Sequence, residues 1–127
     1  MTTAQSVELM AGLTFLVFGL SYLLNTHIWV DWFKGLAEKP YQSAVLVGMG
    51  HFVAGAFILS FHWVWYGVQI IVTILGLIMT FEGLVYLLYP RWLIFIFKLV
   101  EPYISSIVRI SGLVVAGLAV VILFSLV

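Results

Sequence analysis

Long uninterrupted apolar runs separated by short polar stretches dominate the chain. The first goes from Leu9 to Val30 without a charge, the second from Pro40 to Phe81, and the last from Ile110 to Val127, extended upstream by Ile104–Val108. A strand of a membrane barrel would alternate apolar and polar positions over about ten residues. Continuous runs are helical instead, and about 20 apolar residues span a bilayer. At about 1.5 Å rise per residue the Pro40–Phe81 run is about twice a bilayer's thickness, so it must fold back. The turn is expected at Ser60–Gly67, where Phe61, His62, Trp63, Trp65 and Tyr66 cluster, because amphipathic rings favour the headgroup level. The pattern predicts an all-α integral membrane fold with four transmembrane helices, at about 7–25, 42–60, 65–89 and 104–126. The first is not expected to be a cleaved signal peptide: no Lys or Arg precedes it and no small-x-small site follows it.

The connections carry their own pattern. Trp29, Trp32, Phe33 and Leu36 fall at i, i+3, i+4 and i+7, one face of a helix that would lie in the headgroup layer. Its counterpart, Trp92–Val100, is almost wholly apolar and suits either the interface or a partner helix. Pro90 stops the third span, and Tyr89 falls where an aromatic belt is expected. Trp63 and Trp65 serve the opposite interface in the same way.

Composition narrows the class further. Of 127 residues 65% are hydrophobic and only 8% charged, against about 25% charged in soluble domains. Neither a soluble globule nor a disordered chain is compatible with that balance. Five Lys and Arg against five Asp and Glu leave no basic excess for nucleic acid. No cysteine is present, which removes disulfides and thiolate chemistry. Lys34, Lys39, Arg91, Lys98 and Arg109 all fall in or beside the 26–41 and 90–103 connections. The positive-inside rule therefore puts both connections in the cytoplasm and both termini in the periplasm.

The chain also repeats itself, as a hairpin at 1–64 and another at 65–127 that together make one membrane domain. Gly12, Gly19, Tyr22, Phe33 and Lys34 recur as Gly76, Gly83, Tyr86, Phe97 and Lys98 at an offset of 64; beyond the first connection, Gly50, Val53, Ala54 and Gly55 match Gly112, Val115, Ala116 and Gly117 at 62. A two-helix unit returns the chain to its starting side, so the copies are parallel repeats. Gly50/Ala54 and Gly112/Ala116 are small-xxx-small pairs that predict contact between the second and fourth spans.

Few residues offer chemistry. Glu82 lies about two turns from the end of the third span, and Arg109 lies at similar depth in the fourth. Their repeat positions are Phe18 and Val47, so acid and base are absent together, which predicts an intramembrane ion pair. His51, mid-span, could hydrogen-bond Glu82 or supply one axial haem ligand. His27 and His62 lie at interfaces, and Asp31 and Glu38 in a wet connection. No metal cluster, phosphate loop or nucleophile elbow is present, so neither an enzyme nor a bound cofactor is expected.

Glu82-Gly83-Leu84, Leu88-Tyr89-Pro90, Trp92, Pro102, Arg109 and Gly112-Leu113-Val114-Val115-Ala116-Gly117 occur in that order. This series resembles the YjeT-like family, short uncharacterised bacterial inner-membrane proteins of two helices joined by a cytoplasmic connection. The resemblance covers about residues 73–126. The first half lacks the Glu and the Arg and has Asn25-Thr26 in place of Tyr-Pro, as a diverged copy would. It implies a bacterial inner-membrane location and, from gene neighbourhood, prohibitin-like membrane proteins as partners. With no soluble domain and many side chains that must meet lipid or protein, an accessory or structural subunit of a larger membrane complex is expected. Two alternatives stay open: an oligomeric transporter or flippase using Glu82, and a haem- or quinone-binding anchor using His51.

Overall fold

The computed structural model describes residues Met1–Val127. Six α-helices follow one another, α1 (Thr3–Leu24), α2 (Thr26–Glu38), α3 (Pro40–Phe61), α4 (Ile70–Leu88), α5 (Arg91–Val100) and α6 (Ile104–Phe124), with one 3₁₀ turn at Glu101–Tyr103 and no strand. Four are long and apolar enough to cross a membrane: α1, α3, α4, and α6 with the run that leads into it. The chain is a multi-pass, all-helical membrane protein. Helices α2 and α5 form the connections at one end.

Local chemistry sets the helix ends. Thr2 caps α1: its hydroxyl accepts from the Gln5 amide at 3.1 Å, and the Gln5 side chain accepts from the Thr2 amide at 2.9 Å. This capping box satisfies two orphan donors and starts α1 at Thr3, upstream of the expected position 7. Pro40 opens α3, where its missing N–H is no loss. Helix α4 begins at Ile70 rather than near 65, because Gly67 takes φ +66°, which breaks the helical path. The loop is further pinned by Thr73, whose hydroxyl donates to the Val64 carbonyl at 2.8 Å.

The long helices form two tight pairs, α3 on α4 and α1 on α6. Both pairs are built on glycine. Gly48 and Gly55 of α3 meet Gly83 and Gly76 of α4, and Gly112 of α6 lies against the Gly19 carbonyl of α1. Where hydrophobicity cannot drive helices together, such close approach is what holds them. The expected contact between the second and fourth spans through Gly50/Ala54 and Gly112/Ala116 does not form. Nothing lies within 4 Å of a Cβ placed at Gly50, while Gly112 and Ala116 pack on α1. The register explains the difference. Gly48 meets Gly83, Tyr86 and Leu87; Gly112 meets Gly19, Tyr22 and Leu23. Gly83 meets Phe52, and Gly19 meets Ala116. Matching contacts on α3 and α6 thus lie 64 positions apart, not 62. The buried positions agree: Ala44 and Val108, and Ile58 and Ile122, are buried at the same spacing.

Near the termini, Val7, Ala11, Ile58, Val72 and Ile122 form a core contributed by all four long helices. Near the connections, Ala44 and Tyr86 pack with Leu93, which docks α5 on the α3–α4 pair. Trp29 docks α2 on the end of α1: its ring meets Tyr22 edge-on with centroids 4.7 Å apart, and its indole N–H donates to the Ser21 hydroxyl at 2.8 Å. Trp32 and Phe33 extend this cluster at centroid distances of 5.6 and 6.0 Å from Trp29.

Candidate functional site

Two polar clusters interrupt the apolar bundle. The first was foreseen in part. Glu82 projects from α4 toward α3, where its carboxylate lies 3.8 Å from His51 Nε2. His51 Nδ1 is 2.9 Å from the Val47 carbonyl one turn back, so Nδ1–H donates there and Nε2 is the nitrogen turned to Glu82. Tyr86, one turn on from Glu82, sets its ring edge against the imidazole at 6.4 Å. His51 is at the middle of α3 and the two side chains are 39% and 43% exposed, on the outer face of the α3–α4 pair. Glu82 also lines a surface groove of about 450 Å³ between α4 and α5, whose walls are otherwise apolar.

The expected Glu82–Arg109 ion pair does not form; no guanidinium nitrogen comes within 4 Å of a carboxylate anywhere in the chain. The two residues belong to different helix pairs, α4 with α3 and α6 with α1. The expected similar depth does not hold either: Glu82 meets His51 at the middle of α3, whereas Arg109 sits toward the connection end of α6. Arg109 instead shares a cavity of about 380 Å³ at the connection end with His27, Asp31 and Ser105.

The second cluster lies at the opposite end and joins residues that sequence reasoning left apart. His62, which caps α3, is fully buried between Glu8 of α1 and Thr73 of α4. Its Nε2 is 2.8 Å from Glu8 Oε1 and its Nδ1 is 2.9 Å from the Thr73 hydroxyl. That hydroxyl donates its only hydrogen to the Val64 carbonyl at 2.8 Å and accepts from the Val64 amide at 3.2 Å. Nδ1 must therefore carry a proton. Nε2 faces Glu8 Oε1 within hydrogen-bond distance. Glu8 Oε2 is the sole buried side-chain polar atom without a partner. Helices α1, α3 and α4 and the 62–69 loop are tied together at one point. Glu8 already falls inside the expected first span at 7–25, but nothing in the sequence pairs it with His62, 54 positions on.

The remaining expected residues divide by location. Trp63 and Trp65 stack edge-on at 5.1 Å in the α3–α4 turn and are exposed. Tyr89 is exposed at the end of α4, and Trp92 stacks on Phe95 at 5.6 Å on the outer surface of α5. Comparison with known proteins returns no match: no family model, no curated protein and no solved structure matches the chain.

Proposed function

We propose that the protein is a non-catalytic accessory or structural subunit of a larger complex in a bacterial inner membrane, with the α2 and α5 connections in the cytoplasm. The observation that carries this reading is the half-uncovered His51–Glu82 pair at mid-span. Intramembrane ionisable side chains almost always face protein or water, because acyl chains offer them nothing. A helix of another protein laid on the α3–α4 face would cover the pair. Gly50, beside His51, leaves open space for such a helix to approach. Prohibitin-like membrane proteins are the partner class suggested by the YjeT-like resemblance.

Extraction of the native membrane in a mild neutral detergent should recover the protein within an assembly much larger than its own 14.3 kDa. The double variant His51→Leu/Glu82→Leu should keep its helicity and thermal stability, because the glycine contacts of α3 and α4 are untouched, but run alone. Wild-type protein that migrates alone and monodisperse would overturn the proposal. One observation favours a second reading, an oligomeric transporter: the basic group beside Glu82 is a titratable His and not an Arg. Proton-coupled uptake into liposomes that is lost on Glu82→Gln would decide for it.

A further inference from the structure

Between the two connections lies a cavity of about 590 Å³, within the size range of small-ligand sites. Its walls come in matched pairs. Phe33 faces the same space as Phe97, Lys34 as Lys98, and Pro40 as Ile104, each pair at the 64-residue spacing that relates the helix contacts. The cavity therefore lies where the two halves of the molecule meet symmetrically, at the end of the bundle that carries α2 and α5. Its chemistry is divided. Rings and aliphatic side chains line most of it, two ammonium groups border it, and Tyr41 adds a hydroxyl. One acid, Glu101, stands at the position that matches Ala37, which leaves the border with a net positive charge.

The geometry points to a binding site for an anionic phospholipid, with the phosphodiester held between Lys34 and Lys98 and the glycerol and upper acyl chains against Phe33, Phe97 and Ile94. Three features select this ligand class. Lysine is a strong point-charge partner for phosphate. Basic pockets between membrane helices at the interface bind anionic headgroups. The apolar walls suit a ligand whose charge sits directly on a hydrocarbon body, which a soluble phosphate lacks. Glu101 opposes any anion at the site, and the two lysines outweigh it.

Native mass spectrometry of the full chain in a neutral detergent tests the site, using phosphatidylglycerol and phosphatidylcholine of identical acyl chains as probes. Phosphatidylglycerol should bind in preference. Lys34→Gln and Lys98→Gln should each weaken it about fivefold, as loss of one basic contact at a membrane surface does, and the double variant should bind both lipids alike. Lys39→Gln, outside the cavity, should leave the preference intact, and Glu101→Gln should strengthen it. The last variant adds no demand on folding and moves affinity in the opposite direction. Equal binding of both lipids by the wild type, a preference that survives the double lysine variant, or displacement of phosphatidylglycerol by millimolar inorganic phosphate would each overturn the assignment.

Discussion

At the residue scale the molecule turns on where its few polar side chains find partners. Glu8, His62 and Thr73 form a chain of hydrogen bonds with almost no exposure, in which only Glu8 Oε2 lacks a partner. Removing one member of a buried pair strands the other, which costs about 3–5 kcal/mol, whereas apolar replacement of both members is often close to neutral. Glu8→Ala should therefore lower stability by about that amount in detergent unfolding, and Glu8→Met/His62→Leu should lower it much less. Equal losses would show that Glu8 and His62 are not coupled. Neither residue stood out in the sequence, because Glu8 precedes the first apolar run and His62 is hidden among aromatic turn residues. They lie 54 positions apart and only the fold joins them. Glu82 and Arg109 show the converse. Each is conspicuous, but position along a span says nothing about which helix faces which, and the two belong to different helix pairs.

At the element scale the four spans were readable from the apolar runs alone, since a bilayer imposes a length that few other settings demand. Helix pairing was not readable, because glycine and alanine are frequent in membrane helices whether or not they make contact. The matched set Gly50–Gly55 and Gly112–Gly117 agrees in residue type, yet the positions that carry equivalent contacts are Gly48 and Gly112. Contact glycines and bystander glycines can be told apart by substitution. A Cβ at Gly19 would sit 2.6 Å from the Ala116 backbone nitrogen, and one at Gly83 would run into the Phe52 backbone. Backbone cannot yield as a flexible side chain can, so Gly19→Ala and Gly83→Ala should each cost about 1–3 kcal/mol in denaturant titration. Gly117 has open space beside it, and Gly117→Ala should be neutral or stabilising by up to about 1 kcal/mol through helix propensity. A uniform loss at all three sites would mean that the α1–α6 and α3–α4 contacts do not hold the bundle together.

At the scale of the whole molecule, the first long helix of each half packs on the last long helix of the other, α1 on α6 and α4 on α3. The chain ends are thereby locked together, and both lie at the end of the bundle that holds the Glu8–His62 cluster. The other end carries α2, α5 and the basic side chains Lys34, Lys39, Arg91 and Lys98, with Arg109 opening onto the same region beside Asp31. No Lys or Arg lies near either terminus or in the 62–69 turn. Lys and Arg resist translocation, so the basic end should stay in the cytoplasm, and the lipid site between α2 and α5 would then face the inner leaflet. Absence of any native cysteine makes this directly measurable. Val127 is fully exposed and Gly35 has no neighbour within 4 Å, so cysteine is tolerated at both. Val127→Cys should react with a membrane-impermeant maleimide in intact spheroplasts. Gly35→Cys should react only once the membrane is opened. The reverse pattern would invert the molecule, moving the buried Glu8–His62 cluster to the cytoplasmic side and the paired lysines to the outer leaflet.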